Sequence, residues 1–281
     1  MTTSVFHTLE EAFFYCRDMD ASLGDRLETF SAAARVLRPA MQEAVDRLVV
    51  RLMASDLGNA VPQIGDQMPP FILPDEQGDL VSLAGLLRVG PVAVTFHRGH
   101  WCPYCRINTK ALAEAQTRIA AEGAQIVAIV PDRQQFAAAL KRESNMHYPV
   151  LTDMDNGYAL SLNLAIWVGA ELQELMSASG RDLPRYQGND AWVLPLPASF
   201  VVDTDGYIRG RFIDPDYRKR MAIDDLLKAI RSARVHKLPT PPRSYPYSAQ
   251  SAIEDQGVKR NNSGSLRIGG HAAARTRGAC K

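Results

Sequence analysis

The spacing of apolar positions changes along the chain, and each spacing predicts a different element. Up to about residue 58 the period is helical: Leu27, Phe30, Ala33, Ala34 and Leu37 share one face, and after Pro39 so do Val45, Leu48, Val49 and Leu52. The second run is expected to end at Gly58, and the helices to pack on the core or on a partner subunit. Cys16, behind Phe13, Phe14 and Tyr15, reads as a small buried hydrophobe rather than a resolving cysteine. From near Pro62 the period shortens. Phe71-Ile72-Leu73-Pro74 and Val81-Ser82-Leu83, with a turn at Gly78, predict an edge hairpin, since proline is tolerated at an edge and not in a central strand. Leu83 to Leu87 follows as a short helical turn. Val92 to Phe96 and Gln125 to Val130 are almost wholly apolar, as strands buried on both faces require. The helix between them carries Leu112, Ala115, Ile119 and Ala120 on one face. Asp132 is expected to cap the next helix, through Phe136, Ala139 and Leu140, and Pro149 to Asp153 to form a short edge strand. Such alternation implies parallel strand–helix–strand units with a right-handed crossover.

From Asn156 to about Leu194 the periodicity weakens. Tyr158 to Leu164 and Glu171 to Met176 read as short helices, and Gly180, Pro184, Gly188 and Asn189 as loop, in an insertion over one end of the sheet. Trp167 and Trp192 there are read as packing residues, with a cover over the cysteines as the alternative. Phe200-Val201-Val202-Asp203, a turn at Thr204-Asp205-Gly206, and Tyr207 to Ile213 predict a hairpin. A last helix follows through Ile223, Leu226, Leu227 and Ile230. Beyond Leu238 proline, serine and scattered Arg/Lys replace the apolar period, the composition of a disordered tail in which Cys280 is incidental. The regions are thus a helical extension (1–60), an α/β domain (61–237) and a tail (238–281).

Composition narrows the function. Among 281 residues the net charge is +1, which offers no field for nucleic acid or an acidic membrane surface, and 46% apolar with 22% charged residues is the mix of a globular protein. No run nears the ~20 apolar residues of a membrane span, and the first residues lack the basic stretch of a signal peptide. Four cysteines in a chain of this length fit a reducing compartment, so the cytoplasm is expected.

Two of those cysteines stand where the apolar strand Val92–Phe96 gives way to a helix, in Trp101-Cys102-Pro103-Tyr104-Cys105. The unpaired N–H groups at a helix start stabilise a thiolate and lower a cysteine pKa from about 8.5 into a range of about 3.5–7.5. Pro103 suits the first turn, where no N–H is needed. Zinc would require a second Cys or His pair, which the chain lacks, and inert burial does not explain the spacing. The pair therefore reads as a redox couple, with no metal and no cofactor expected. On helix geometry Cys102 is the exposed, more acidic thiol and Cys105 its shielded partner one turn on. Arg98 either stabilises the thiolate or a peroxide oxygen, or forms a surface ion pair. His97 and His100 read as loop histidines, Trp101 as a shield beside the site, and Asp203 and Asp214 as turn residues.

The strand order, the strand-to-Trp-Cys-x-x-Cys junction and a Pro-x-Ser-Phe-x-x-Asp hairpin together resemble the thioredoxin fold, a central mixed sheet flanked by helices. More narrowly, Gly65-x-x-x-Pro69-x-Phe71-x-Leu73-Pro74-Asp75-x-x-Gly78, Phe96 to Cys105, Leu194 to Phe200 and Asp214-Pro215-Asp216-Tyr217 resemble the peroxiredoxin-like subgroup of the alkyl hydroperoxide reductase/thiol-specific antioxidant branch. The resemblance implies an antioxidant oxidoreductase that reduces hydroperoxides through its Cys-x-x-Cys and is recycled by a thioredoxin-type reductant; the helical extension offers a surface for a homodimer. A thiol–disulfide oxidoreductase acting on disulfides, or a redox-responsive binding protein, are the alternatives. The chain departs from the branch's Pro-x-x-x-Thr-x-x-Cys. Laid on that pattern, Cys105 takes the attacking position, Cys102 the threonine's and Arg98 the proline's, and the later-strand arginine falls on Pro197. Pro197 matches instead the cis-proline that thioredoxins hold against their cysteines, so a cis Leu196–Pro197 bond is expected. Helix geometry favours attack by Cys102, and the alignment favours Cys105.

Overall fold

In the computed structural model, which describes residues 6–55 and 60–235, the chain begins with three helices, α1 (Leu9–Asp18), α2 (Leu23–Leu37) and α3 (Pro39–Met53). Side chains of Thr8 and Ser22 cap the first two by accepting from Glu11 N and Asp25 N, and Pro39 opens the third, so the helices are separated where the sequence supplies stop and start residues. The edge hairpin β1 (Ile72–Pro74) and β2 (Leu80–Ser82) and the short α4 (Leu83–Leu87) follow. Then come β3 (Val92–Phe96), α5 (Pro103–Ala121), β4 (Gln125–Val130), α6 (Gln134–Ser144) and β5 (Val150–Thr152). After α7 (Gly157–Ser161), β6 (Ala165–Trp167), α8 (Ala170–Ala178), α9 (Leu183–Gln187) and β7 (Val193–Pro195), the chain closes with β8 (Ala198–Val202), β9 (Ile208–Ile213) and α10 (Ile223–Val235). Among the described residues no helix is long and apolar enough to cross a membrane. The expected helix end at Gly58, the tail from residue 238 and Cys280 lie outside the described residues.

The central sheet runs β5-β4-β3-β8-β9, parallel across β5, β4 and β3 and antiparallel across β8 and β9. This is the thioredoxin-like mixed sheet, with β5 at an edge as its opening proline implied. β3 sits at the centre, buried at every position, and its side chains alternate between two layers. Val92, Val94 and Phe96 join Val127, Ile129 and Phe200 in a layer covered by the N-terminal helices and the 158–196 segment. Ala93 joins Ala128, Val130 and Val201 in a layer covered by α5, α6 and α10. Burying a side chain such as Phe96 or Phe200 is worth about 1.5–3 kcal/mol. A one-residue slip would reverse both layers, so the register that places the end of β3 is strongly held.

The N-terminal helices pack on this core. Phe30 of α2 meets the Tyr104 ring edge-on at 5.0 Å, Ser31 Oγ lies 3.1 Å from Tyr104 Oη, and Arg26 pairs with Glu114 of α5 at 2.9 Å. Cys16 is fully buried among them, as read, and burial pushes its thiol up to about 11.

Three expectations are corrected. The stretch read as loop from Gly180 to Asn189 contains α9, and the 156–194 segment also holds β6, which pairs antiparallel with β7; its three-residue strands are too short to show a period. Asp132 does not cap α6. Arg133 is the N-cap residue, without a side-chain cap bond, and Asp132 turns inward to accept from His100 N at 2.6 Å. The Leu196–Pro197 bond is trans, and no peptide among the described residues is cis. Pro195 pairs with Ala165 and Leu196 N donates to Leu164 O at 2.8 Å, so the residues that lead into Pro197 are held by the pairing of β7 with β6.

Candidate active site

The site begins where β3 stops. His97 N extends the ladder to Ile129 O at 2.9 Å, and the chain then leaves the sheet through Arg98 and Gly99. Gly99 has φ +135, and a Cβ there would lie 2.5 Å from Asp132 Oδ1, so only glycine fits this turn. Cys102 is the N-cap residue of α5, Pro103 stands at its first position, and Arg106 N donates to Cys102 O at 3.1 Å. This places Cys105 in the first turn behind Cys102. Both thiols are free and buried, Cys102 with 1% of its surface exposed and Cys105 with none. The sequence expectation of an exposed Cys102 is thereby corrected: α2, α3 and α8 cover it, leaving a narrow cleft that Cys102 lines and Cys105 does not.

The two thiols have opposite proton affinities. Burial alone would push Cys102 up. The facing Cys105 thiol, the charges of Arg98 and Arg220 and the Cys105 backbone N–H overcome it and hold Cys102 down at about 5. Cys105 is pushed up to about 12 by burial and by its thiolate neighbour, only partly offset by His97 and Arg220. Cys105 thus carries the proton at neutral pH while Cys102 carries the charge. Cys105 Sγ also accepts from Arg98 N at 3.3 Å and Arg220 Nη2 at 3.5 Å.

Arg98 is a buried cation beside the pair. Its side chain is 5% exposed, with the guanidinium 3.7 Å from the Tyr217 ring centroid and 5.0 Å from that of Trp101. Among the described residues it has no carboxylate partner, so the surface ion pair considered for it is not formed. Burial works against the charged guanidinium, and Tyr217 and the two cysteines more than restore it.

Asp132 stands on the other side of the turn. It is fully buried, its Oδ1 has no hydrogen-bond partner, and burial raises its carboxyl to about 8 against the pull of the His100 N–H, with the nearby Cys105 adding to the rise. His97 is a core residue rather than a loop one, with Nε2 3.0 Å from Thr95 Oγ1. His100 Nε2 lies 3.0 Å from Glu143 Oε1. Trp101 lines the cleft. Pro197 is buried one residue before Ala198, whose partner is Phe96, and so stands level with His97. Trp167 is exposed over Arg51, and Trp192 is buried in the core; neither lines the cleft. Asp203 accepts from Asp205 N and Tyr207 N and pairs with Arg209, and Asp214 accepts from Asp216 N, both as turn residues.

Sequence reasoning missed Asp132, Tyr217 and Arg220 as members of the site. Only Tyr217 carried a signal, as part of Asp214-Pro215-Asp216-Tyr217. Arg220, in the basic run Arg218-Lys219-Arg220, reads as a solvated charge, yet it donates to Tyr217 O and Lys219 O and reaches Cys105.

One outcome follows from the thiol charges alone. Iodoacetamide should modify Cys102 at a constant rate between about pH 8 and about pH 6, because the reactive thiolate is fully formed there. The rate should fall to half near the thiol value of about 5 and continue down with acid. Peptide mapping reads it, and a profile rising through the ordinary thiol range would contradict the assigned charge.

Residues 64–211 match the model of the AhpC/TSA family. The thiol-disulfide oxidoreductase ResA of Bacillus thuringiensis (strain Al Hakam) is 25% identical over 57% of this chain and 75% of its own length. A Mycobacterium tuberculosis (strain CDC 1551 / Oshkosh) protein named as a peroxiredoxin is 26% identical over 51% of this chain and 80% of its own. Among solved structures, the peroxidoxin BcpB of Mycobacterium tuberculosis superposes with a TM-score of 0.48 at 21% identity, over 63% of this chain and 99% of that one.

Proposed function

This chain belongs to the AhpC/TSA family, and on that premise we propose that it is a thiol peroxidase in which Cys102 attacks a hydroperoxide and Cys105 resolves the product. The observation that carries the reading is the buried Arg98 guanidinium, which has no carboxylate partner among the described residues, lies over the Tyr217 ring and acts by its charge on both cysteines. The thiolate sulfur attacks the terminal peroxide oxygen. The O–O bond breaks, its electron pair leaves on the alkoxide, and solvent protonates that to the alcohol while Cys102 becomes a sulfenic acid. A cation held at the sulfur stabilises the charge as it moves to the leaving oxygen. The Cys105 sulfur then attacks Cys102 Sγ, the S–OH bond breaks, and hydroxide takes the thiol proton to leave as water. The resulting disulfide is reduced by an external dithiol of thioredoxin type, two electrons returning both cysteines to thiols.

Thiol–disulfide exchange is the second reading. Its support is the acidic cysteine standing first at a helix start with a protonated partner one turn later, an arrangement that serves exchange equally well. Against it stands access. The cavity at Cys102 holds about 50 Å³, and one water centre takes about 10–15 Å³. Such a space admits a hydroperoxyl group more readily than the disulfide of a folded protein. Re-reduction must open the same cover.

Peroxide-dependent NADPH oxidation, coupled through thioredoxin and its reductase, tests the proposal, with dithiothreitol as a small dithiol for comparison. Cys102→Ser is expected to lose about a thousandfold or more, since no second acidic thiol faces the cleft. Cys105→Ser should still be oxidised once by peroxide but fail to recycle through thioredoxin. Full turnover in both variants refutes the mechanism. Insulin reduction without peroxide turnover would favour exchange instead.

A further inference from the structure

Residues 214–222 carry the chain from β9 to α10 without helix or strand, and side chains of this segment reach both the cysteine pair and the N-terminal extension. Tyr217 is buried, with the Arg98 guanidinium 3.7 Å from its ring centroid and the Tyr104 ring edge-on at 5.7 Å. Arg220 Nη2 donates to Cys105 Sγ at 3.5 Å. Arg218 instead pairs with Asp46 of α3 at 2.7 Å and donates to Gln42 Oε1 at 3.5 Å. Both ends of that tie lie outside residues 64–211, the stretch that matches the family.

Among the described residues Arg220 has no carboxylate within ion-pair distance, and its other partners are the backbone carbonyls of Tyr217 and Lys219. Its guanidinium therefore sits where the segment carries it. Within the segment Asp216 pairs with Arg218 at 2.7 Å and Asp214 with Lys219 at 3.2 Å, and neither pair anchors it to the rest of the protein. Among the described residues the carboxylate that ties it down is Asp46, which also pairs with Arg35 of α2 at 2.9 Å. The Arg218 side chain is only 12% exposed, so solvent screens this pair less than one on the open surface. Arg35, joined by Arg218, holds the Asp46 carboxyl below the usual carboxylate range against the opposing effect of burial, so the pair is charged wherever the Cys102 thiolate is formed.

We propose that Asp46 is a positioning residue for the reaction: through Arg218 it holds the 214–222 segment so that Arg220 stays against Cys105. Its bearing on turnover rests on Cys102 as the attacking thiol. Arg220 is one of the two cations that keep that thiol low, so a segment released from α3 takes part of the charge away. Arg98, His97 and Asp132, the other charged or titratable groups at the pair, belong to the turns after β3 and β4 and form no hydrogen bond or ion pair with Asp46.

The sign of the effect separates this role from a plain charge effect and from a loosened cover. Removing a carboxylate by itself lowers a neighbouring thiol pKa. Admitting water relieves burial, which also lowers the Cys102 thiol. Loss of the Arg220 charge raises it.

The test is the pH at which iodoacetamide modifies Cys102 at half its plateau rate in the reduced, full-length protein, about 5 in the wild type. In Asp46→Asn that midpoint is expected to rise by about half a pH unit or more, and in Arg220→Gln by about one or more. Asp46→Glu keeps the charge and should rise less than Asp46→Asn. In an Arg220→Gln background Asp46→Asn should add less than about 0.2 pH unit, because the cation it positions is already gone. An unchanged or lowered midpoint in Asp46→Asn, a rise at least as large in Asp46→Glu, or a full Asp46→Asn rise on top of Arg220→Gln would each overturn the assignment. The plateau rate reports access and the midpoint reports charge, so a variant with a looser cover remains readable. Alkylation consumes no peroxide, so a failed peroxidase assay and a failed midpoint shift are separate results.

Discussion

Replacing Arg98 with glutamine is expected to carry the Cys102 thiol from about 5 back toward the ordinary thiol range and to slow hydroperoxide attack at neutral pH by about a hundredfold. Burial is the largest influence on this thiol and acts upward. The value stays low because the facing Cys105 thiol, two cations and the Cys105 backbone N–H act downward together. A nearby charge moves a pKa by about 1–3 units, so losing Arg98 carries the Cys102 thiol from about 5 to between about 6 and about 8, and its thiolate fraction at neutral pH falls. The leaving alkoxide would lose the same cation. Arg98→Lys is the control. Lysine retains the charge but not the planar stacking against Tyr217 and Trp101, so its thiol should rise less than that of the glutamine variant. Ultraviolet thiolate absorbance against pH measures both variants. An unchanged thiol in Arg98→Gln would remove Arg98 as the counter-charge, and with it the chief support for the proposed attack.

The second large effect concerns stability. Asp132→Asn is expected to stabilise the protein, by an amount that grows with pH. In strong acid both the folded and the unfolded carboxyl carry a proton, and the two proteins should differ little. As pH rises through about 4 the unfolded carboxyl ionises while the buried one does not, so the native state of the wild type loses stability with each unit. The loss stops growing once the folded group ionises, at about 8. The asparagine gain should therefore open above about pH 4 and level off near about pH 8, reaching on the order of a few kcal/mol. Cys102 acts in the opposite sense, its depressed thiol adding stability as pH rises from about 5 toward the ordinary thiol range. Subtracting the two melting-temperature curves cancels that contribution, because both proteins retain Cys102. Parallel curves would show that Asp132 is ionised in the fold, in contradiction to its burial and its unpartnered Oδ1.

Much of the scaffold was legible in local pattern. The nearly continuous apolar runs of β3 and β4 placed both strands at their observed bounds, because a strand buried on both faces leaves little room for polar residues. Trp101 to Cys105 at the end of such a run fixed the pair at a helix start, and that position alone pointed to Cys102 as the more acidic thiol. Shorter pieces escaped. β6 and β7 have three residues each and are held by pairing with each other across a distance in sequence that no periodicity reports.

The chemical environment of the pair belongs to a different class of information. Asp132 follows a strand and precedes a helix, and a cap is the local reading of that position. Its inward turn depends on the glycine at 99 and the free N–H of His100, 32 residues upstream. Arg220 reaches Cys105 from 115 residues away in sequence. The helical period of the N-terminal extension is visible in sequence, but not that its apolar face would roof the thiol. The chain's own order determined where two sulfurs meet a helix start, since that is set by neighbours along the backbone. Which of them bears the charge, how deeply it is enclosed and what lines the way in were decided by the folded structure, because burial and Coulomb interactions act through space between segments that sequence keeps far apart.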